Sequence, residues 1–238
     1  MRRANRVICT IANRKYAPYL HRFIYSVREA GWRGEIVVLT TDVNLYCNAT
    51  VRVVKQEFKT SVFRDNRWLK LELDRHFKKG DRVIFLDCDI VLFKGFPFEE
   101  LFQHDLSLTT VAMNHDVTKE MPIVKSLLGG EPKTKYLASP CAFKMCRKTE
   151  KFFDEWRSFR ETSKEYNKGT MFALNLACHS RDMSDVYLLP EDRCAYTLTV
   201  VFKEIVAEPV LFHYGGGKGK QIWFDEYRDG IVYNYRGD

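Results

Sequence analysis

The sequence has no stretch of about eighteen apolar residues, so no membrane-spanning helix is expected. It has no CxxC pair of the kind that opens a zinc site. Low-complexity segments and internal repeats are missing too, and glycine and proline are scarce (13 and 7 of 238 residues), which excludes fibrous, solenoid and disordered classes. No block of lysine and arginine is long enough for a nucleic-acid arm, and no nucleic-acid-binding motif occurs, so no nucleic-acid partner is expected. The short apolar run 7–12 follows a basic opening and breaks at Asn13 and Arg14. It is too short for a signal peptide and reads as a first strand. Cysteine is odd in number, seven in all, and Cys9, Cys141 and Cys178 sit in apolar runs. Reduced, buried thiols in a cytoplasmic setting are therefore expected.

What is present is enough apolar material for one full core. Hydrophobic residues make up 45% of the chain, which at this length bounds the answer to a single domain over residues 1–238. The net charge of +7 reads either as a solvated basic surface or as affinity for a polyanion: a nucleotide diphosphate or an anionic membrane face touched peripherally.

Strands are expected over 6–12, 35–41, 50–54 and 82–86, with helices over 16–30 and 64–77 between them. This alternation predicts an α/β fold with a doubly wound, mostly parallel sheet flanked by helices. Ligands of such sheets bind outside the carboxyl ends of the strands. Residues 10–13, 40–42 and 87–89 fall at three such ends. Further strands are expected over 106–112, 136–145, 186–189 and within 200–212, and helices over 150–160 and 170–178. The stretch 114–135, with Pro122, Gly129, Gly130 and Pro132, reads as a loop or lid.

Two segments carry chemistry. The first is Val83-Ile84-Phe85-Leu86-Asp87-Cys88-Asp89, a buried strand ending in two carboxylates at i and i+2. Alone, such a pair also reads as a turn or helix cap. With a hard divalent cation between them, the carboxylates can bridge to phosphate oxygens. The second is Leu211-Phe212-His213-Tyr214-Gly215-Gly216-Gly217-Lys218. It reads either as a satisfied histidine before a glycine turn, or as a metal ligand followed by a close-approach backbone and a lysine for phosphate.

Together the two segments resemble the nucleotide-diphospho-sugar glycosyltransferases of the GT-A fold, particularly the glycogenin-like and bacterial galactosyltransferase group. The likeness rests on the D-x-D strand end, on Ile90-Val91-Leu92 and Phe98-Glu99-Glu100-Leu101-Phe102 after it, and on His213, Gly216 and Trp223 near the end of the sequence. Tyr16 and Ser26 match the family's opening helix. The resemblance implies a GT-A (Rossmann-like) sheet with a small additional β region. It implies a nucleotide-binding half over about 1–105, and an acceptor-binding half over about 106–238 that holds a metal-binding C-terminal loop. It implies Asp87, Asp89 and His213 as ligands of Mn²⁺ or Mg²⁺, and Lys218 and Gly216 on the diphosphate of a nucleotide sugar, UDP-sugar favoured. The acceptor is a glycan or other hydroxyl compound. Thr10, Ala12, Tyr16 and Asp42 would line the base pocket, with Arg67 and Lys70 (or Arg64) reaching the phosphates and Asp87 an alternative ribose partner.

The chain departs from the family pattern at Ala138-Ser139-Pro140-Cys141, where Asn-Ser-Gly is usual, and at Thr170-Met171, where Asp-Gln is usual. The donor sugar and stereochemical outcome stay open, with retention implied by the resemblance. An inverting enzyme needs a carboxylate base; Asp182, Asp185, Glu191 and Asp192 are the candidates. Two other readings compete. Asp87 followed by Asp89, Val91 and Leu92 fits the first motif of haloacid-dehalogenase-type phosphatases, with Asp87 as nucleophile and Asp182 and Asp185 as a later acidic pair. A sugar nucleotidyltransferase would need a glycine-rich loop where Ala12-Asn13-Arg14-Lys15 stands.

Overall fold

The computed structural model describes residues 4–54, 66–112, 120–129, 134–189, 194–196, 209–214 and 221. Its centre is a seven-stranded sheet in the order β3-β2-β1-β4-β7-β6-β8. Four strands, β1 (Arg6–Ile11), β2 (Glu35–Thr40), β3 (Thr50–Val53) and β4 (Arg82–Phe85), run parallel. The near-continuous apolar runs of β1, β2 and β4 are what a sheet covered on both faces requires, while β3 is a more exposed edge strand. The strand β7 (Thr134–Lys144) lies antiparallel between β4 and β6 (Leu106–Ala112), and β8 (Tyr187–Leu189) pairs parallel with β6 at the edge. The predicted mostly parallel α/β sheet is thus observed, with β7 as its reversed member.

Alternate residues divide the core. Val7 and Cys9, with Val37, Leu39, Val83 and Phe85, face Leu69, Leu71 and Leu73, α4 (Arg147–Ser158) and α6 (Thr170–His179). Ile8, with Ile36, Val38 and Ile84, faces Leu20, Phe23, Ile24 and Val27 of α1 (Ala17–Glu29). The predicted small β region is a three-stranded sheet: β5 (Ile90–Leu92), β10 (Leu211–His213) and β9 (Cys194–Tyr196), in that order.

Three local expectations differ from the structure. Residues 66–76 form a 3-10 helix, Asn66–His76, where helical spacing was expected over 64–77. Leu69, Leu71 and Leu73 are all buried, so the segment is covered on more than one side. The segment is pinned by Arg157, which donates to both oxygens of buried Asp74 (2.6 and 3.0 Å) and to the Leu71 carbonyl (2.8 Å). Within 114–135, α3 (Met121–Leu128) stands where a loop was expected. Pro122 in its first turn and Gly129 at φ +72° are ordinary helix start and stop signals. The helix expected over 150–160 starts earlier, at Arg147, because Thr149 caps it: its Oγ1 accepts from the Cys146 N–H (3.1 Å). It ends at Ser158 and is followed by the short α5 (Arg160–Glu165). Of the β run expected within 200–212, Leu211 and Phe212 lie in β10, and 200–208 fall outside the described residues. The remaining helix is α2 (Phe98–Leu101).

Buried Asn175 ties α6 to β7. Its Oδ1 accepts from the Tyr136 N–H (2.9 Å), and its Nδ2 donates to the carbonyls of Tyr136 (3.0 Å) and Met171 (2.9 Å). Replacing it with Leu orphans both Tyr136 backbone groups. Asn175→Leu is expected to lower unfolding free energy by about 3 kcal/mol, measured by urea denaturation; a loss below about 1 kcal/mol would contradict the contact's role.

Candidate metal centre

The strand β4 keeps its ladder for one residue past Phe85, since the Leu86 N–H donates to the Cys9 carbonyl (2.9 Å). The chain then turns: the Ile90 N–H donates to the Asp87 carbonyl (3.2 Å), and β5 begins. Cys88, 6% exposed, joins the core beside Leu86 and Ile90, which leaves Asp87 and Asp89 flanking it on the outer side. Two serines fix the turn. The Asp87 N–H donates to Ser139 Oγ (2.7 Å). Ser26 Oγ donates to the Phe23 carbonyl (2.9 Å) and accepts from the Leu92 N–H (3.1 Å) at the end of β5.

Ser139 reaches Asp87 because it continues the antiparallel β4–β7 register, in which Arg82 is opposite Lys144 and Phe85 opposite Cys141; on the other side of β7 the pairing with β6 shifts, Leu108 being opposite Cys141 but Thr109 opposite Leu137. The extra residues of β7 leave the ladder with β6. Residues 138–141 entered the sequence reading as a departure from pattern; their function in holding Asp87 had no signal in the sequence. Ser26 was visible only as a family match.

His213 arrives from the far end of the chain. It lies opposite Ile90 in the antiparallel β5–β10 pair, and the next N–H, of Tyr214, donates to the Asp89 carbonyl (2.9 Å). One ligand atom from each of Asp87, Asp89 and His213 lies within 4.8 Å of the others. His213 Nε2 is 3.3 Å from Asp89 Oδ1 and 3.8 Å from Asp87 Oδ2. Burial pulls the imidazole's pKa down, but the Asp89 hydrogen bond and the charges of Asp89 and Asp87 outweigh it, and the net shift is upward. Two carboxylates this close repel by about 3–4 kcal/mol at an effective dielectric of 20. Lys70 answers one of them, its Nζ 2.6 Å from Asp87 Oδ1. The donor set of two carboxylates and one imidazole fits a divalent cation.

The remaining sequence-assigned residues divide. Thr10, Ala12 and Asp42 are buried at the carboxyl ends of β1 and β2, and Tyr16 half-buried beside them, on the sheet edge that carries Asp87. Thr10 Oγ1 is buried without a hydrogen-bond partner among the described residues. Asp42 accepts from the Arg14 N–H (3.1 Å), Arg14 Nε (2.9 Å) and the Asn44 N–H (3.1 Å). Arg64, Glu191, Asp192, Gly215, Gly216, Gly217, Lys218, Trp223 and the side chain of Arg67 lie outside the described residues.

Asp185 is not brought to the group. It pairs with Lys148 (2.9 Å), which follows the end of β7 at Lys144, opposite Arg82. That is the amino end of β4, the edge away from Asp87. Asp182 shares its turn and binds the N–H and hydroxyl of Ser184 (2.9 and 2.8 Å). The acidic pair that a dehalogenase-type phosphatase needs beside Asp87 is therefore not formed by these two. The glycine-rich loop of a nucleotidyltransferase does not follow β1 either: two residues after its end, Asn13 caps the turn Arg14–Tyr16 by accepting from the Lys15 N–H (3.0 Å).

Solved structures share this arrangement of elements. The galactosyltransferase LgtC, in complex with donor and acceptor sugar analogues, superposes with a TM-score of 0.67 at 15% identity, covering 98% of this chain and 97% of LgtC. The fold is the GT-A fold. An active-site mutant of LgtC gives a TM-score of 0.61 at 15% identity, covering 97% and 98% of the two chains. The bifunctional glycosyltransferase WbbM gives 0.63 at 16% identity, covering 98% of this chain and 50% of WbbM. No protein-family model and no curated protein sequence matches the chain.

Asp42 supplies a pH test. Burial raises its pKa, but the hydrogen bonds from Arg14 and Asn44 and the Arg14 charge outweigh it and hold the carboxyl below its ordinary value of 3.8. A depressed folded-state pKa stabilises the fold above the ordinary value and is lost as pH falls through the folded one. The stability gap between wild type and Asp42→Asn is therefore expected to be widest near neutrality and to shrink below about pH 4, read by urea denaturation at each pH. A gap that widened on acidification would contradict the assignment.

Proposed function

We propose that the protein transfers a sugar from a nucleotide-diphosphate donor, UDP-sugar favoured, to a hydroxyl of a glycan or other acceptor, with Mn²⁺ or Mg²⁺ as cofactor. The observation that carries this reading is the convergence of Asp87, Asp89 and His213 at the carboxyl edge of a GT-A sheet. A divalent cation bound there supplies Lewis-acid charge to the diphosphate leaving group.

The protein's own groups are arranged to the same end. Asp87, Asp89 and His213 hold the ion. Lys70 keeps an ammonium at Asp87, within reach of phosphate oxygens, and stabilises negative charge as the nucleoside diphosphate departs. Thr10, Ala12, Tyr16 and Asp42 border the base and ribose on the β1–β2 side, within a nucleotide half of about 1–105. Residues of about 106–238 receive the acceptor, and Gly216 and Lys218 extend the diphosphate site on sequence grounds. Asp185, at the far edge, is set aside as the catalytic base. The basic surface offers electrostatic attraction to the anionic donor without any nucleic-acid motif.

Among the described residues no helix is long and apolar enough to cross a membrane, and six cysteines are free. We place the protein in a reducing, cytoplasmic compartment, where peripheral contact with an anionic membrane remains compatible with its charge.

The test is a thermal-shift panel of UDP-, GDP- and dTDP-sugars, each with and without Mn²⁺, followed by a transfer assay in EDTA. Binding to the native state raises the melting temperature by mass action. A Mn²⁺-dependent shift with UDP-sugars and loss of transfer in chelator are expected. Lys70→Met is expected to keep the fold and weaken UDP affinity in the presence of Mn²⁺ about 10-fold, the value of one charge-assisted contact. Full transfer in excess EDTA would overturn the reading.

A further inference from the structure

His213 is supplied by a three-residue strand, and the residue after it is held from outside that strand. Tyr214 is 4% exposed and packs with Tyr19, Val91 and Phe212, with Tyr16 and Phe93 against them. Its ring centroid is 5.1 Å from that of Phe212. Over its face lies the guanidinium of Arg22, 5.3 Å from the centroid, with Nη2 donating to the Tyr214 hydroxyl (3.4 Å). Arg22 belongs to α1, one turn before Ser26, whose hydroxyl accepts from the Leu92 N–H of β5. One face of α1 therefore grips both strands of the metal-bearing pair: β5 through Ser26, and the end of β10 through Arg22.

We propose that Arg22 is a positioning residue for the metal centre, acting through Tyr214 on His213. This rests on the metal reading of Asp87, Asp89 and His213 given above. The path is short. Arg22 holds the Tyr214 ring by a hydrogen bond and by attraction between a cation and a π face. The Tyr214 N–H holds the Asp89 carbonyl, and the adjacent His213 faces Asp89 Oδ1 at 3.3 Å. The strand β10 is paired on both sides but is only three residues long and ends at His213, so the anchor at Tyr214 adds to the ladder in fixing the imidazole. Groups that orient a ligand in this way typically change metal affinity 10–100-fold when removed. Tyr214 stands in the sequence only as the residue after His213, and nothing local pairs it with Arg22, because the two lie in distant parts of the chain.

The test is Mn²⁺ binding to the full chain, measured by electron paramagnetic resonance titration of free Mn²⁺ without nucleotide. Arg22→Met keeps most of the apolar stem and removes the cation. It is expected to weaken Mn²⁺ binding about 10-fold, and Arg22→Lys, which restores a cation, to recover most of that. In a His213→Ala background, Arg22→Met is expected to change affinity little further, since the ligand it orients is gone. Tyr214→Phe, which keeps the ring and loses the hydroxyl, carries the same comparison should Arg22→Met melt below assay temperature. Equal Mn²⁺ affinity in wild type and Arg22→Met would overturn the proposal and leave the metal centre standing. The same weakening in the presence and absence of His213 would reduce Arg22 to a structural contact. A wild-type chain that takes up no Mn²⁺ would overturn the metal reading itself.

Discussion

The backbone pairing of β5 with β10 is the constraint on which the site depends. It sets His213 opposite Ile90, beside Asp89, and it is the contact that brings a late segment of the chain to the end of an early strand. Without it the D-x-D turn holds two carboxylates and one lysine, a set that satisfies itself only in part. With it the cluster gains an imidazole and has three groups placed to ligate a divalent cation. The pair is small, and its stability comes from what it packs on. Leu92, Leu211 and Ile90 join the α1 core, while Val91, Phe212 and Tyr214 pack against Tyr19. Local geometry at the metal centre is thus an outcome of side-chain packing on α1 rather than of the strands alone.

Charge is arranged with similar economy. The chain carries +7 overall, yet at the centre of the site negative groups prevail. Lys70 meets Asp87, and its ammonium lies over the Phe85 ring, 5.4 Å from the centroid. Its segment is pinned from the other side by the Arg157–Asp74 pair. A net positive chain with an acidic cluster at its site is the charge balance that the proposed metal–diphosphate ligand would need.

The early strands were legible in the sequence because each is a continuous apolar run bounded by turn residues. The runs 6–12, 35–41 and 82–86 fall within a residue or so of β1, β2 and β4. Asp87, Asp89 and His213 were singled out because the two segments together resemble the GT-A pattern; alone, the carboxylate pair also reads as a turn and the histidine as a satisfied one. What stayed hidden was set by tertiary contacts. Ser139 reaches Asp87 through the antiparallel pairing of β4 with β7, Asn175 bonds a strand remote in sequence, and Arg22 covers a ring far along the chain. No window of local sequence contains both partners of any of these pairs. The helical character of 66–76 was legible from its apolar spacing, while its 3-10 form was not.

The central claim is that one divalent cation sits among Asp87, Asp89 and His213. Crystals of the full chain grown with Mn²⁺ and UDP, with data collected on both sides of the manganese absorption edge, test it most directly. The account predicts one strong anomalous peak bonded to Asp87, Asp89 and His213 at about 2.0–2.3 Å, with diphosphate oxygens completing the shell. A manganese peak elsewhere with this cluster empty, or UDP bound at the site with Lys70 and no metal, would contradict it.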